Sequence, residues 1–246
     1  MESRQDRPLT IEYQLRGNIL NSYDVILTGS SGRIGSELLI LLREAGLTVK
    51  PVDLSLGDDL GDEQYVTELF INNRASSLVN LFALNEHISK GATQAKTIWD
   101  FSLSDIDHYL HTNITNLFSV CRSFAKYNET ASIVNFSSIY GVVTPKPDLY
   151  DGYLKHIGYP LSKSAVINLT EYLAICLAPK IRVNTVVPGG VLSEQSPEFI
   201  ERYSKKCPMG RMALPEDLLG IVKLLIGNES SYITGATFNV DGGWVL

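Results

Sequence analysis

The unit from Tyr23 to Gly46 constrains the fold more than any other stretch. Tyr23–Leu27 reads as a buried strand and runs straight into T-G-S-S-G-R-I-G, Thr28 to Gly35. An amphipathic run follows, with Ile34, Leu38, Leu41, Leu42 and Ala45 at helical spacing, and Gly46 stops it. The same hand-over recurs along the chain. Strands are predicted at Leu47–Val52, Ser77–Ala83, Ile133–Phe136, Ile181–Val187 and Thr237–Val240. Helices are predicted at Glu63–Asn72, Leu103–Lys126, Pro160–Leu177 and Pro215–Ile226. Alternation of this kind implies a parallel sheet with helices on both faces. The expectation is a single doubly wound α/β domain over residues 23–246, with about seven strands and ligands at their carboxyl ends. A chain of 246 residues, 44% of them hydrophobic, can bury the core such a domain needs.

Residues 1–22 read as an N-terminal extension, in which Ile11, Tyr13 and Leu15 alternate as a short strand or docking arm would. The first residues lack the apolar core of a signal peptide, and the run Leu38–Leu42 is far too short to span a bilayer. A net charge of -6 gives no reason to expect nucleic acid or an anionic membrane as partner. Cys121, Cys176 and Cys207 are far apart and form no C-x-x-C pair. A cytoplasmic, reduced protein without a metal site is expected. The cluster Asp105, Asp107, His108 and His111 is read as a charged helix face.

Glycines at 29, 32 and 35 permit a tight turn and close backbone approach to a pyrophosphate at the helix N-terminus. With a strand before it and a helix after it, the loop predicts a Rossmann-like dinucleotide site formed by Gly29, Ser31, Gly32, Arg33, Ile34 and Gly35. Asp53 ends the second strand, where a carboxylate can hold the adenosine ribose hydroxyls and repel a 2'-phosphate. That favours NAD and leaves NADP possible, because Arg33 could offset phosphate charge or simply face solvent. Asp59 and Leu60 are placed beside the adenine.

A second feature ends in Tyr159 and Lys163, one helical turn apart. An ammonium beside a phenol favours the phenolate, so Lys163 is expected to lower the Tyr159 pKa. Pro160 disfavours helical geometry at the residue before it, which places Tyr159 at the helix cap. Residues 143–158, rich in Pro, Tyr, Asp and Lys, read as a substrate-side insert, and residues 190–212 as a substrate-covering segment in which Ser193–Lys206 reads as a mobile helix over the site. Within the insert, His156 is either an exposed loop residue or a substrate contact.

Together these motifs resemble the short-chain dehydrogenase/reductase family over nearly the whole chain from Tyr23. The family's Y-x-x-x-K stands at Tyr159–Lys163, its serine at Ser138 in I-V-N-F-S-S-I-Y-G, and its helix asparagine at Asn113 in T-N-I-T-N-L-F. The stretch I-R-V-N-T-V-V-P-G-G resembles the segment beside the nicotinamide, which brings Pro188, Gly189, Val191 and Ser193 to the cofactor. Tyr232–Gly243 is similar to the family's C-terminal signature. The resemblance implies Tyr159 as general acid/base and Ser138 as hydrogen-bond donor to the same substrate oxygen. It further implies Lys163 on the nicotinamide ribose and Asn113 holding a water that links Lys163 to solvent. A homodimer or homotetramer is implied as well.

Three departures stand out. The glycine spacing is G-x-x-G-x-x-G where compact members usually have G-x-x-x-G-x-G. The usual N-N-A-G is Asn80-Leu81-Phe82-Ala83, so only Asn80 is kept for the adenosine side. The stretch between Ser138 and Tyr159 is longer than usual. The C-terminal third is similar to members of bacterial sialic-acid-like and surface-sugar synthesis. The expected activity is NAD(P)-dependent interconversion of a secondary alcohol and a ketone on a sugar, sugar phosphate or nucleotide sugar. The alternative is a non-catalytic dinucleotide-binding protein on the same fold.

Overall fold

The computed structural model describes residues 21–85 and 95–246. The strand expected around Ile11–Leu15 lies outside them. Six strands form one parallel sheet: β1 (Asn21–Thr28), β2 (Val49–Val52), β3 (Asn73–Asn80), β4 (Ala131–Phe136), β5 (Ile181–Pro188) and β6 (Thr237–Val240), in the order β2-β1-β3-β4-β5-β6. About seven were expected, so the sheet is one strand smaller among the described residues. The helices are α1 (Arg33–Glu44), α2 (Glu63–Asn72), α3 (Leu103–Leu110), α4 (Asn116–Tyr127), α5 (Gly158–Leu177), α6 (Pro197–Lys206) and α7 (Leu219–Ile226).

Alternation along the strands builds two cores. Ile26, Leu78, Ile133 and Val183 face α2, α4 and α5, where Phe70 and Phe124 meet edge to face. Val25, Leu27, Val79, Val134 and Val186 face α1 and α7. A sheet covered on both sides needs apolar residues in both registers, which is why the strands read as near-continuous apolar runs. The chain leaves β1 toward β2 and then returns past β1 to β3. The carboxyl ends of β1 and β3 therefore frame an open crevice.

Two local features depart from the pattern read in the sequence. The helix predicted over Leu103–Lys126 is two helices joined by a π-helical turn, His111–Thr115. In α5, Tyr159 lies inside the first turn and not at the cap, because the helix starts at Gly158 with Ile157 already helical. Pro160 has no N–H to leave unpaired there. The N–H groups of Tyr159 and Leu161 reach the carbonyls of His156 and Ile157.

Candidate active site

A cleft of about 540 Å³ opens at the carboxyl ends of the strands. One wall is the turn after β1. A Cβ on Gly29 would come within 2.4 Å of the Phe82 nitrogen, and one on Gly35 within 2.1 Å of the Gly29 carbonyl oxygen. Those two glycines let the turn close. A Cβ on Gly32 would touch only the Gly29 oxygen, at 3.4 Å, and Gly32 caps α1 without a side chain. That leaves the helix N-terminus open to an anion, so the turn fits a pyrophosphate. Gly29, Gly32, Arg33, Ile34 and Gly35 all line the cleft.

Asp53 lies behind the turn. It accepts hydrogen bonds from the backbone N–H of Ser31 at 3.1 Å and of Ser55 at 2.9 Å, and Ser55 Oγ bonds both Asp53 and Ser31. Burial opposes its ionisation, and the bonds from Ser55 and Ser31 outweigh that, holding the carboxyl below its ordinary value. A carboxylate fixed at the end of β2 suits two ribose hydroxyls and opposes an added phosphate. Arg33 turns away from this corner: its Nε donates to the Leu192 carbonyl at 3.0 Å, with Glu37 at 3.8 Å.

Besides Asp53 and Ser31, three further predicted contacts do not line the cleft. Leu60 is buried in the core with Val66 and Leu117, and Asp59 accepts from the Gly61 N–H. Asn80 is buried in a polar row across the sheet. Thr28 donates to its Oδ1, and its Nδ2 donates to Asn135 and to the Cys121 sulfur; Asn135 in turn donates to Thr170. With both amide ends engaged inside the sheet, Asn80 pins strands together.

The facing wall carries Ser138, Tyr159 and Lys163. Ser138 lies two residues after β4 and caps a short turn by accepting from the Tyr140 N–H at 3.2 Å. Tyr159 is 8% exposed. Burial pushes its phenol up to about 12, against a hydrogen bond with Ser138 that favours the phenolate. Lys163 Nζ donates to the Phe136 carbonyl at 2.9 Å and stands 5.9 Å from the centre of the Tyr159 ring. Burial brings the lysine down to about 8. The expected lowering of the phenol pKa is therefore reversed: desolvation acts on both partners, and the ammonium is turned toward a carbonyl.

The backbone behind the pair is held closely. Ser137 Oγ donates to the Lys163 carbonyl at 2.6 Å, and Ser162 Oγ donates to the Tyr159 carbonyl at 2.8 Å. Asn113 sits in the π turn, buried, and donates to Ser162 Oγ at 2.9 Å and to the Leu84 carbonyl at 3.1 Å, while its oxygen accepts from the Leu84 N–H. Its side chain thus runs from the strand-end loop through Ser162 to the backbone of Tyr159. π turns of this kind are frequent at functional sites.

A family model described as enoyl-(acyl carrier protein) reductase matches residues 59–245. The chain is 30% identical over 243 residues to the 3-oxoacyl-[acyl-carrier-protein] reductase FabG of Rickettsia typhi, which covers 90% of this chain and 96% of that one. The chain belongs to the short-chain dehydrogenase/reductase family. Another short-chain type dehydrogenase/reductase, from Sinorhizobium fredii, is 32% identical over 247 residues, and this chain spans only 43% of its length. Among solved structures, a short chain dehydrogenase of Leptospira borgpetersenii with bound NAD+ superposes with a TM-score of 0.79 at 28% identity, covering 92% of this chain and 94% of that one.

Pro188, Gly189, Val191 and Ser193 line the cleft of this short-chain dehydrogenase/reductase, whereas Ser31, Asp53 and Asn113 stand behind the wall. Several lining residues had no role in the sequence reading. Tyr140 and Tyr150 share a hydrogen bond at 2.6 Å, Trp244 stacks on Tyr203, and Tyr203 accepts from the Gly190 N–H at 2.6 Å. The insert folds onto α6. Arg202 pairs with Asp151 at 2.7 Å, Lys206 with Asp148 at 2.6 Å, and the Tyr150 and Phe199 rings lie 5.5 Å apart. His156, in contrast to an exposed loop position, is buried and stacked on Tyr109 at 4.7 Å. The aromatic richness of the insert was the available signal for this wall.

Proposed function

We propose that the protein is an NAD-dependent oxidoreductase that interconverts a secondary alcohol and a ketone on a sugar, sugar phosphate or nucleotide sugar, with NADP as the second candidate cofactor. One observation carries this reading: Ser138, Tyr159 and Lys163 share a cleft with an open glycine turn at a helix N-terminus. A bound nicotinamide supplies the hydride acceptor or donor. The chain supplies proton handling and position. A phenol raised to about 12 holds its proton at neutral pH, which makes Tyr159 a donor to the oxygen of a ketone under reduction. Ser138, hydrogen-bonded to the same phenol, stabilises charge on that oxygen. Lys163 holds the ribose and returns the proton, and Asn113 fixes the Tyr159 backbone through Ser162.

Preference for NAD follows from the Asp53 carboxylate and from Arg33 pointing away from it. The bound NAD+ of the Leptospira relative supports the same choice. A sugar-type substrate is supported by the cleft lining, where tyrosine rings alternate with Asn85, Gln195 and Ser196. Aromatic faces with scattered amides and hydroxyls suit a polyhydroxylated ring. The test titrates NADH and NADPH against the protein and then screens sugars, sugar phosphates and nucleotide sugars for cofactor oxidation or reduction. Tight cofactor binding with no turnover across the panel would favour the non-catalytic alternative.

A further inference from the structure

Tyr140 and Tyr150 both line the cleft, and their hydroxyls lie 2.6 Å apart. Tyr140 stands two residues after Ser138 and is 8% exposed. Two phenols bring two protons, and a single bond between them engages one. Among the described residues neither hydroxyl has a second hydrogen-bond partner. Burial raises both phenols above their ordinary value, so both protons are present at neutral pH. Against burial, the shared bond favours the Tyr140 phenolate, whereas it disfavours that of Tyr150. Tyr150 therefore donates and Tyr140 accepts, which leaves the Tyr140 proton without an acceptor. A buried donor in that state is costly and calls for an explanation.

The pair is held in place from several sides. The Tyr140 ring meets Trp244 edge to face, 6.3 Å between centres, and the Tyr150 ring lies 5.5 Å from Phe199. The Arg202–Asp151 ion pair ties the segment that carries Tyr150 to α6. Tyr140 is also within electrostatic reach of the reacting phenol: after burial, repulsion from Tyr140 helps to keep Tyr159 protonated. An unanswered donor thus stands on a fixed frame beside Ser138 and Tyr159.

We propose that Tyr140 is the residue that selects the substrate: its hydroxyl donates to a second substrate oxygen, on a carbon near the one that reacts at Tyr159, and Tyr150 orients it. The inference rests on the oxidoreductase reading. Ser138 and Tyr159 serve the reacting oxygen, so the Tyr140 proton goes to a neighbouring one. That narrows the substrate to hydroxy ketones and diols, including a sugar carbon next to a hydroxylated one, over ketones and alcohols whose oxygen is isolated.

The experiment compares kcat/KM at saturating cofactor within matched pairs that differ by one hydroxyl: acetoin against butanone, and sugars against their deoxy analogues. The expected result is a preference of roughly 10- to 100-fold for the hydroxylated member, because a site built to bond a hydroxyl rejects the analogue that lacks it. Tyr140→Phe brings that ratio close to one, and Tyr150→Phe, which leaves the Tyr140 proton in place, retains part of it. A merely structural role for Tyr140 would slow both members of a pair alike and leave the ratio unchanged. An undiminished ratio in Tyr140→Phe, or no preference in the wild type, overturns the proposal. If nothing in the panel turns over, the oxidoreductase reading is what fails, and ligand-observed NMR titration of the NADH-loaded protein with acetoin and with butanone decides the role of Tyr140. Tighter binding of acetoin that Tyr140→Phe abolishes supports it, and equal binding or none overturns it. Thermal midpoints check folding, and Tyr140→Met replaces Tyr140→Phe if that variant does not fold.

Discussion

Removing Lys163 should stabilise the protein at neutral pH and change how its stability responds to base. The lysine is charged up to about 8 in the folded chain and up to 10.5 when unfolded. Between those values the unfolded chain holds more protons, so stability rises with pH. At pH 7 both forms are charged and the whole penalty applies, about 3 kcal/mol at roughly 1.4 kcal/mol per tenfold change. Raising the pH from 7 to 9.5 relieves about 2 kcal/mol of it. Cys121 works in the opposite direction. Burial pushes its thiol up to about 12, which removes a little under about 1 kcal/mol by pH 9.5. Tyr159, also raised, contributes fully below pH 10 and loses its contribution progressively as pH climbs from 10 through 12, above the pH range of the assay. The comparison is therefore urea unfolding of wild type and Lys163→Met at pH 7, 8.5 and 9.5. The cysteine is common to both, so the difference between the two proteins isolates the lysine. Lys163→Met should be more stable at pH 7 by roughly 1–2 kcal/mol, after about 1 kcal/mol for the lost bond to the Phe136 carbonyl. That advantage should shrink by about 2 kcal/mol at pH 9.5. A pH-independent difference, or one that grows with pH, would refute a desolvated lysine at this position.

Tyr159→Phe should lower turnover by roughly 100- to 10,000-fold and leave the NADH dissociation constant nearly unchanged in fluorescence titration; retained turnover would remove Tyr159 from the chemistry. Gly35→Ala should fail to fold or lose more than about 3 kcal/mol in urea, because its Cβ meets the Gly29 oxygen at 2.1 Å. Gly32→Ala should stay within about 1 kcal/mol of wild type and weaken cofactor binding instead; the reverse ranking would contradict the open turn. Asp53→Asn keeps an acceptor for the Ser31 N–H and removes the charge. It should raise the NADPH-to-NADH affinity ratio about tenfold or more in paired titrations, and an unchanged ratio would show that Asp53 does not discriminate.

The parallel sheet was legible because strand and helix periods differ and every hand-over carries turn residues, most clearly from Thr28 to Gly35. The π turn was not. Leu110, Ile114, Leu117 and Cys121 keep a helical rhythm in sequence, and a single surplus residue hardly disturbs it. Lys155 and His156 looked like loop residues because their burial comes from partners far away in the chain, Asn85 and Tyr159 for one, Tyr109 and Phe101 for the other. Asn80 and Leu60 show another limit. Position at a strand end or in a connection does not reveal which way a side chain points, and both point inward. The direction of the Tyr159 shift was misread for a related reason: spacing shows that an ammonium is near, whereas desolvation depends on what surrounds the pair.

The segment from Leu103 to Tyr127 is one rod with one residue too many. A regular helix advances roughly 100° per residue, so the excess rotates everything before the π turn relative to everything after it. After the turn, Leu117, Val120, Cys121 and Phe124 key into the sheet. Before it, Tyr109 is pressed against Gly158 and stacked on His156 at the start of α5. A seamless helix would have to choose one facing for both jobs. The supernumerary residue separates their phases, so the foundation of the domain and the geometry of the cleft can be adjusted independently on a single piece of backbone.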